Sequence, residues 1–416
     1  MTARGSSPEP GRWAVALAGA VALAVAMGIG RFAFTPLLPM MLHDGVIDLP
    51  TASWLASANY LGYLAGALLC TFQPWIWQRA PWLPQVNGVW LLRAGLIATG
   101  LLTLGMALPA PALWPLLRFT AGVASAVVFV YTSGWCLTQL ARRDAAALGG
   151  AMYTGPGAGI VASGLFASGM VQWRWQAAAG WAVFGVLAFA LVAAVWRTFR
   201  ATAGPQPVAG VPAAGAANGT HHGRAEIGCL ALAYGIAGFG YIVTATFLPV
   251  IARAALPGSP WLDMFWPIFG LGVIAGALLS TRLEVSGDLR LLLAGSYAVQ
   301  AAGIGISVWS PSLAGFALGS LLLGIPFTAI TFFALQEVRR LRPAHAASFI
   351  GLLTAMYGIG QIVGPPMVAW LLKRSASAGD GAGAAFTLSL EIAASALLIG
   401  AGLYLTMVRV WPMRRA

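Results

Sequence analysis

The sequence predicts an all-α polytopic membrane protein, with twelve transmembrane helices in two pseudo-symmetric six-helix bundles. Three observations predict it: a composition unsuited to water, twelve apolar runs of membrane-spanning length, and a repeat at a fixed offset. Of the 416 residues, 59% are apolar and only 8% charged, against roughly 25% charged in soluble domains. Bilayer is the solvent that suits such an exterior. A net charge of +12 raises the question of nucleic acid. The basic residues, however, fall between apolar runs and form no basic face with interleaved aromatics, so no nucleic-acid partner is expected.

A helix needs about 20 mostly apolar residues to cross the hydrocarbon layer. Runs of that kind occupy residues 13–42, 52–72, 88–108, 112–140, 147–170, 177–199, 227–251, 262–281, 289–309, 313–336, 346–372 and 384–408. The first resembles a signal peptide but lacks a small-residue cleavage site and continues to Leu42, so it reads as a retained span. Twelve spans place both termini on one side. Loops on that side carry sixteen basic residues, whereas the opposite loops carry only Arg174, Arg253, Lys373 and Arg374. By the positive-inside rule both termini are cytoplasmic.

The chain divides into an N-terminal bundle (1–199), a flexible cytoplasmic linker (200–226) and a C-terminal bundle (227–416). The linker is rich in Ala, Gly and Pro and has no apolar periodicity. Its Asn218-Gly219-Thr220 sequon lies on the wrong side for glycosylation, and its His221-His222 pair reads as solvated. On either side the sequence repeats itself. Gly28-Ile29-Gly30 with Pro39 returns as Gly238-Phe239-Gly240 with Pro249, and Ala65-Gly66-Ala67-Leu68-Leu69 as Ala275-Gly276-Ala277-Leu278-Leu279, both 210 residues on. Gly155-Pro156 returns as Gly364-Pro365 at an offset of 209. Duplicated six-span halves are a transporter architecture, with the solute site between the halves.

At these residues the chain resembles the major facilitator superfamily. The segment Gly28-Ile29-Gly30-Arg31-Phe32-Ala33-Phe34-Thr35-Pro36-Leu37-Leu38-Pro39 is similar to its YbfB/YjiJ branch, as are Ala58-Asn59-Tyr60-Leu61-Gly62-Tyr63-Leu64 and Thr246-Phe247-Leu248-Pro249. Arg118 and Gly122 resemble the fourth-span Arg-x-x-x-Gly element, and Gly155-Pro156-Gly157-Ala158-Gly159 the fifth-span Gly-Pro element. The resemblance implies solute transport in a bacterial inner membrane, with the first, fourth, seventh and tenth helices lining the cavity. It names no particular solute. One departure stands out: the loop between spans two and three offers only Arg79 where the superfamily carries Gly, Asp, Arg and Gly-Arg. Some other contact must close that side.

Arg31 is the sharpest single feature. It lies near the depth of the bilayer centre, where an arginine costs about 2.5–3.5 kcal/mol on insertion scales and should face the protein interior. Its planar donor fork suits a carboxylate or phosphate; the alternative is an arginine tying helices together through backbone carbonyls. Arg118, near the outer end of the fourth span, is a second candidate, with snorkelling as its other reading. Tyr241 stands where the second half repeats Arg31, which suits an asymmetric solute. Tyr241 and Thr244 in the seventh span, Thr331 in the tenth, Asn59 and Tyr63 in the second, and Tyr357 and Gln361 in the eleventh are further solute-binding candidates. Each has a helix-packing reading beside the binding one. Gly155, Pro156, Gly364 and Pro365 are read as hinges for rocking halves.

Proton coupling needs a titratable group at depth. Glu391, about seven residues into the twelfth span, is the candidate carrier, with Asp263 and Glu337 at span ends. The alternatives are a proton carried by the solute, with Arg31 as counter-charge, and uncoupled exchange. Cys70, Cys136 and Cys229 and the four histidines form no metal or nucleophile spacing. No cofactor, metal or enzymatic activity is therefore expected, and no oligomer is required. The expected function is secondary active transport of a small anionic or zwitterionic organic solute by alternating access. A proton-driven exporter of drug-like or aromatic compounds is the rival, and a non-transporting sensor or scaffold the third reading.

Overall fold

The Asp48 side chain accepts the Thr51 amide at 2.8 Å, and Pro50 follows in the first turn, so the turn after the first span ends in a capped helix. Asn87 and Asp288 cap two further helices in the same way. A computed structural model of the chain describes residues 10–80, 82, 86–200, 224–259, 261–282, 287–341, 346–379 and 381–412. Its long helices are α1 (Arg12–His43, interrupted), α2 (Leu49–Arg79), α3 (Gly88–Gly105), α4 (Trp114–Ala141), α5 (Gly155–Gln172), α6 (Ala177–Val195), α7 (Arg224–Ala255), α8 (Phe265–Arg282), α9 (Leu289–Trp309), α10 (Leu313–Leu341), α11 (Ala346–Ala378) and α12 (Ala382–Val410). Eleven are long and apolar enough to cross a membrane. The twelfth, α5, spans 18 residues, and its glycines, Pro156 and Gln172 lower its hydropathy.

Within the first half, α2 packs on α4, α4 on α3, and α3 on α6; within the second, α8 and α9 pack on α10, and α7 and α9 on α12. The halves meet where α2 packs against α11, α5 against α8, and the second part of α1 against α7. Most of the expected linker lies outside the described residues. Its last three residues, Arg224, Ala225 and Glu226, instead form the first turn of α7. An acid is favoured there by the helix dipole, and Glu226 is buried with a cationic partner.

Two expected features take a different form. The first span is not one α-helix: Ala24–Ile29 is a π-helical segment, residues 30–33 are a turn, and Phe34–His43 resumes the helix. The fifth span breaks at Tyr153 and Thr154, after the short helix Gly149–Met152. There Pro156 takes the first turn of α5, where its missing N–H costs nothing. The matching Gly364-Pro365 pair lies inside continuous α11. The proposed hinges are thus broken in one half and helical in the other. Both glycines are also contact points, since a methyl on Gly155 would overlap the Ala20 carbonyl, and one on Gly364 the Ile242 side chain.

The repeated glycines set helix spacing. A methyl on Gly62 would overlap the Phe119 carbonyl of α4, and one on Gly276 the Ile325 carbonyl of α10. Backbone cannot step aside as a flexible side chain can. Gly62→Ala is therefore expected to destabilise by about 1–3 kcal/mol or more, whereas Gly295→Ala, with nothing within 4 Å of the new methyl, stays within about 1 kcal/mol. Thermal unfolding of both variants in detergent checks the contrast; equal losses would show that close approach is not what fixes these glycines.

Candidate functional site

The break in α1 creates the site. In the π segment Gly30 N–H bonds Val25 O, and Phe32 N–H bonds Met27 O, each reaching five residues back. Such segments free carbonyls and recur at functional positions. The Ser125 hydroxyl takes Ala26 O at 2.7 Å, while the Arg118 guanidinium takes Gly30 O at 3.3 Å and Arg31 O at 3.2 Å. Arg118 does not snorkel; it is buried and stacks over Phe34, 4.8 Å from the ring centre. Asn59 donates to Arg118 O at 2.9 Å. These two expected solute ligands therefore stand behind the broken helix and hold it open.

Freed from helical geometry, Arg31 points toward the second half. It is 3% exposed, and its Nη2 donates to Gln361 Oε1 of α11 at 2.7 Å. The Gln361 amide in turn donates to the Tyr241 hydroxyl of α7. Three rings face the guanidinium: Tyr63 at 4.2 Å, Tyr60 at 5.1 Å and Phe32 at 5.4 Å. Beyond them Tyr241 stacks with Tyr357 at 5.9 Å, Tyr357 with Tyr234 at 4.7 Å, and Phe327 of α10 lies edge-on to Tyr241. Arg31, Tyr63, Tyr241, Tyr357 and Gln361 thus come together in one cluster. Thr331 joins through the Tyr234 hydroxyl at 3.0 Å. Thr244 is buried one turn from Tyr241, with its hydroxyl unpartnered among the described residues.

The charge pattern is lopsided. Among the described residues no carboxylate pairs with Arg31, and its Nε has no hydrogen-bond partner. A buried cation without a counter-charge is costly, by several kcal/mol. The rings offset part of that cost, since their π faces attract a guanidinium, and Gln361 supplies a neutral acceptor. An incoming carboxylate would supply the missing charge, with Nε and Nη2 as a ready fork.

Hydrogen bonds tie the halves beside Arg31. The Thr35 hydroxyl donates to Ala245 O at 2.8 Å, Tyr60 pairs with Thr246 at 2.9 Å, and the Ser57 hydroxyl donates to Ile362 O at 3.1 Å. These lie toward the face opposite the chain termini. Toward the terminal face α2 and α11 stay in contact, with Leu64 against Gly358 and Thr71 against Gly351. That helix pair, with the short helix Gly149–Met152 against α8, brings the halves together on the side where the loop between spans two and three is atypical.

Comparisons with known proteins bear on the family and the fold. The family described as "Uncharacterised MFS-type transporter YbfB" matches residues 23–405. The chain belongs to this family of major facilitator transporters. Solved transporters share the fold at low identity. A point mutant of the nucleoside transporter NupG is 13% identical with a TM-score of 0.71, over 94% of this chain and 99% of that one. A bacterial homolog of the human lysosomal transporter Spinster, inward-facing and occupied, is 14% identical with a TM-score of 0.66, over 97% and 98%. The human organic anion transporter MFSD10 (TETRAN) is 14% identical with a TM-score of 0.61, over 95% and 100%. A search of curated proteins finds no match. The family consists of transporters, not enzymes.

Four residues of this transporter differ from, or escape, the sequence reading. Glu391, the expected proton carrier, is exposed on the outer surface of α12, away from the Arg31 cluster. In a helix apolar on every side nothing in the sequence marks the outward face. Tyr234 goes unsingled in the sequence, although it stands seven residues before Tyr241 and so shares its helix face. Phe32 and Phe327 likewise read as ordinary apolar residues.

Proposed function

We propose that the protein is a secondary active transporter of small organic anions, working by alternating access, with Arg31 as the anion grip. The observation that carries this reading is the buried Arg31 guanidinium, ringed by Tyr60, Tyr63 and Phe32 and paired, among the described residues, only with the neutral Gln361 amide. A carboxylate displaces Gln361 Oε1, completes the charge pair and loosens the tie between α1 and α11. The two halves are then free to rock about the broken segments of α1 and α5. The aromatic walls favour a planar, conjugated body, and the lack of a carboxylate disfavours a second, cationic group on the solute. Both bundles, 1–199 and 227–416, move as units in this account, with Gly155-Pro156 and Gly364-Pro365 as bending points.

The rival reading, export of drug-like or aromatic compounds, is favoured by the same rings; charge separates the two. In proteoliposomes, an aromatic monocarboxylate should exchange saturably and its uncharged amide should not. Uptake of amide and amine with no preference for the acid would favour the exporter. We also propose that the protein sits in the plasma membrane with both termini cytoplasmic, as the sixteen-to-four basic asymmetry supports. A C-terminal green fluorescent protein fusion should fluoresce in that orientation, and an alkaline phosphatase fusion should be inactive.

A further inference from the structure

A second buried charge cluster lies at the terminal face of the second half, apart from Arg31. Arg290, in the first turn of α9, is fully buried and every one of its donors is taken. Its Nε bonds Asp288 Oδ1 at 2.9 Å, Nη1 bonds Glu226 Oε1 at 2.9 Å and Met407 O at 3.3 Å, and Nη2 bonds Asp288 Oδ2 at 2.8 Å and Trp411 O at 2.9 Å. Glu337 of α10 points at the same guanidinium, with its Oε1 3.6 Å from Nε, beyond hydrogen-bond reach. Glu337 is 0% exposed, and neither of its oxygens has a hydrogen-bond partner among the described residues. One cation thus meets three carboxylates, and no donor of Arg290 remains for the third.

An ionised carboxylate in that position carries the full desolvation cost with no hydrogen bond to offset it, several kcal/mol at least. A neutral acid carries no charge and has one O–H to offer the neighbouring carboxylates. Burial disfavours the charged form of an acid, and Arg290, the cation nearest to Glu337, is already shared between Glu226 and Asp288. The groups facing Glu337 are Glu226 of α7, Asp288 and Arg290 before and in α9, Tyr404 of α12, and Arg340 on its own helix. Arg340 is solvent-exposed and donates to Gly287 O at 3.2 Å, so water screens its charge.

We infer that the Glu226–Asp288–Arg290–Glu337 cluster is a proton-binding site of the transporter, with Glu337 holding the proton in the buried arrangement described above. Opening of the terminal face hydrates α10's end; the O–H bond of Glu337 then breaks and its proton passes to water there, leaving the carboxylate. The inference is independent of the Arg31 reading, because it concerns different helices and a different ligand.

Infrared difference spectroscopy of the full-length protein in detergent tests it, with pH steps in sodium and in choline buffers. Wild type should show a protonated-carboxyl C=O band at neutral pH that is lost in Glu337→Gln and is indifferent to sodium. Glu226→Gln keeps Glu337 but removes one like charge, so the band should titrate at lower pH; this arm stands even where Glu337→Gln fails to fold. Sign follows from linkage: a folded state that holds the extra proton is stabilised at low pH and loses that contribution as pH rises through the titration. The wild-type melting temperature should fall over that interval and the Glu337→Gln value should not. Absence of the band in wild type, its survival in Glu337→Gln, its removal by sodium, or its loss in Glu391→Gln instead would each overturn the assignment.

Discussion

Arg31→Gln is expected to abolish solute binding while leaving the protein folded. Removing one partner of a buried ion pair costs about 3–5 kcal/mol, which is roughly two to four orders of magnitude in affinity. The free protein should not suffer in proportion. Arg31 has no carboxylate partner among the described residues, so the substitution also removes an uncompensated buried charge. Glutamine keeps an amide donor for Gln361, and the Arg118 contacts to the carbonyls of Gly30 and Arg31 are main-chain on the α1 side and survive. The expected result is an unchanged or raised melting temperature with no saturable transport. Normal transport by this variant would make Arg31 a packing residue and remove the anion site.

Gln361→Glu makes the opposite change to the same pair. It places a carboxylate where the amide oxygen now accepts from Arg31 at 2.7 Å, giving the guanidinium an internal counter-ion in a buried, desolvated setting. Organic-anion binding should fall as far as in Arg31→Gln, because the solute must now displace a charge and not an amide. The melting temperature should rise, since the new pair links α1 to α11 and compensates a charge that is otherwise bare. Gln361→Ala separates the two effects: it deletes the tie but leaves Arg31 available, so anion binding persists while closure weakens. Transport retained in Gln361→Glu would show that solute does not enter between these two residues.

The span pattern, the repeat and Arg31 are legible in the sequence because each violates or satisfies a simple cost: bilayer thickness for the runs, desolvation for the arginine. Tyr63, Tyr241, Tyr357 and Gln361 are reachable for the same reason, as polar side chains in apolar helices. What the sequence hides is geometry that leaves no compositional trace. Residues 24–29 are apolar on every side, so a change from α to π winding alters no pattern. Arg118 has its depth along the fourth span written in the sequence, but its partners are main-chain carbonyls freed by that winding, which no residue type announces. Glu226, Asp288, Arg290 and Glu337 come from three helix ends. Their assembly depends on how the second half packs, and one of them reads as linker. Glu391 shows the reverse limit, an acid at plausible depth whose helix face is set by neighbours alone.

The central claim is that Arg31 binds the charged group of an organic anion. A thermal-shift screen of the purified protein in detergent, using aromatic carboxylates with their matched amides and amines, tests it most directly. A ligand raises the melting temperature in proportion to its occupancy of the folded state, so the solute need not be known beforehand. The account predicts that some carboxylates stabilise wild type, that their amides and amines do not, and that none stabilises Arg31→Gln. Stabilisation of both proteins by amines or amides, with carboxylates inert, would contradict it.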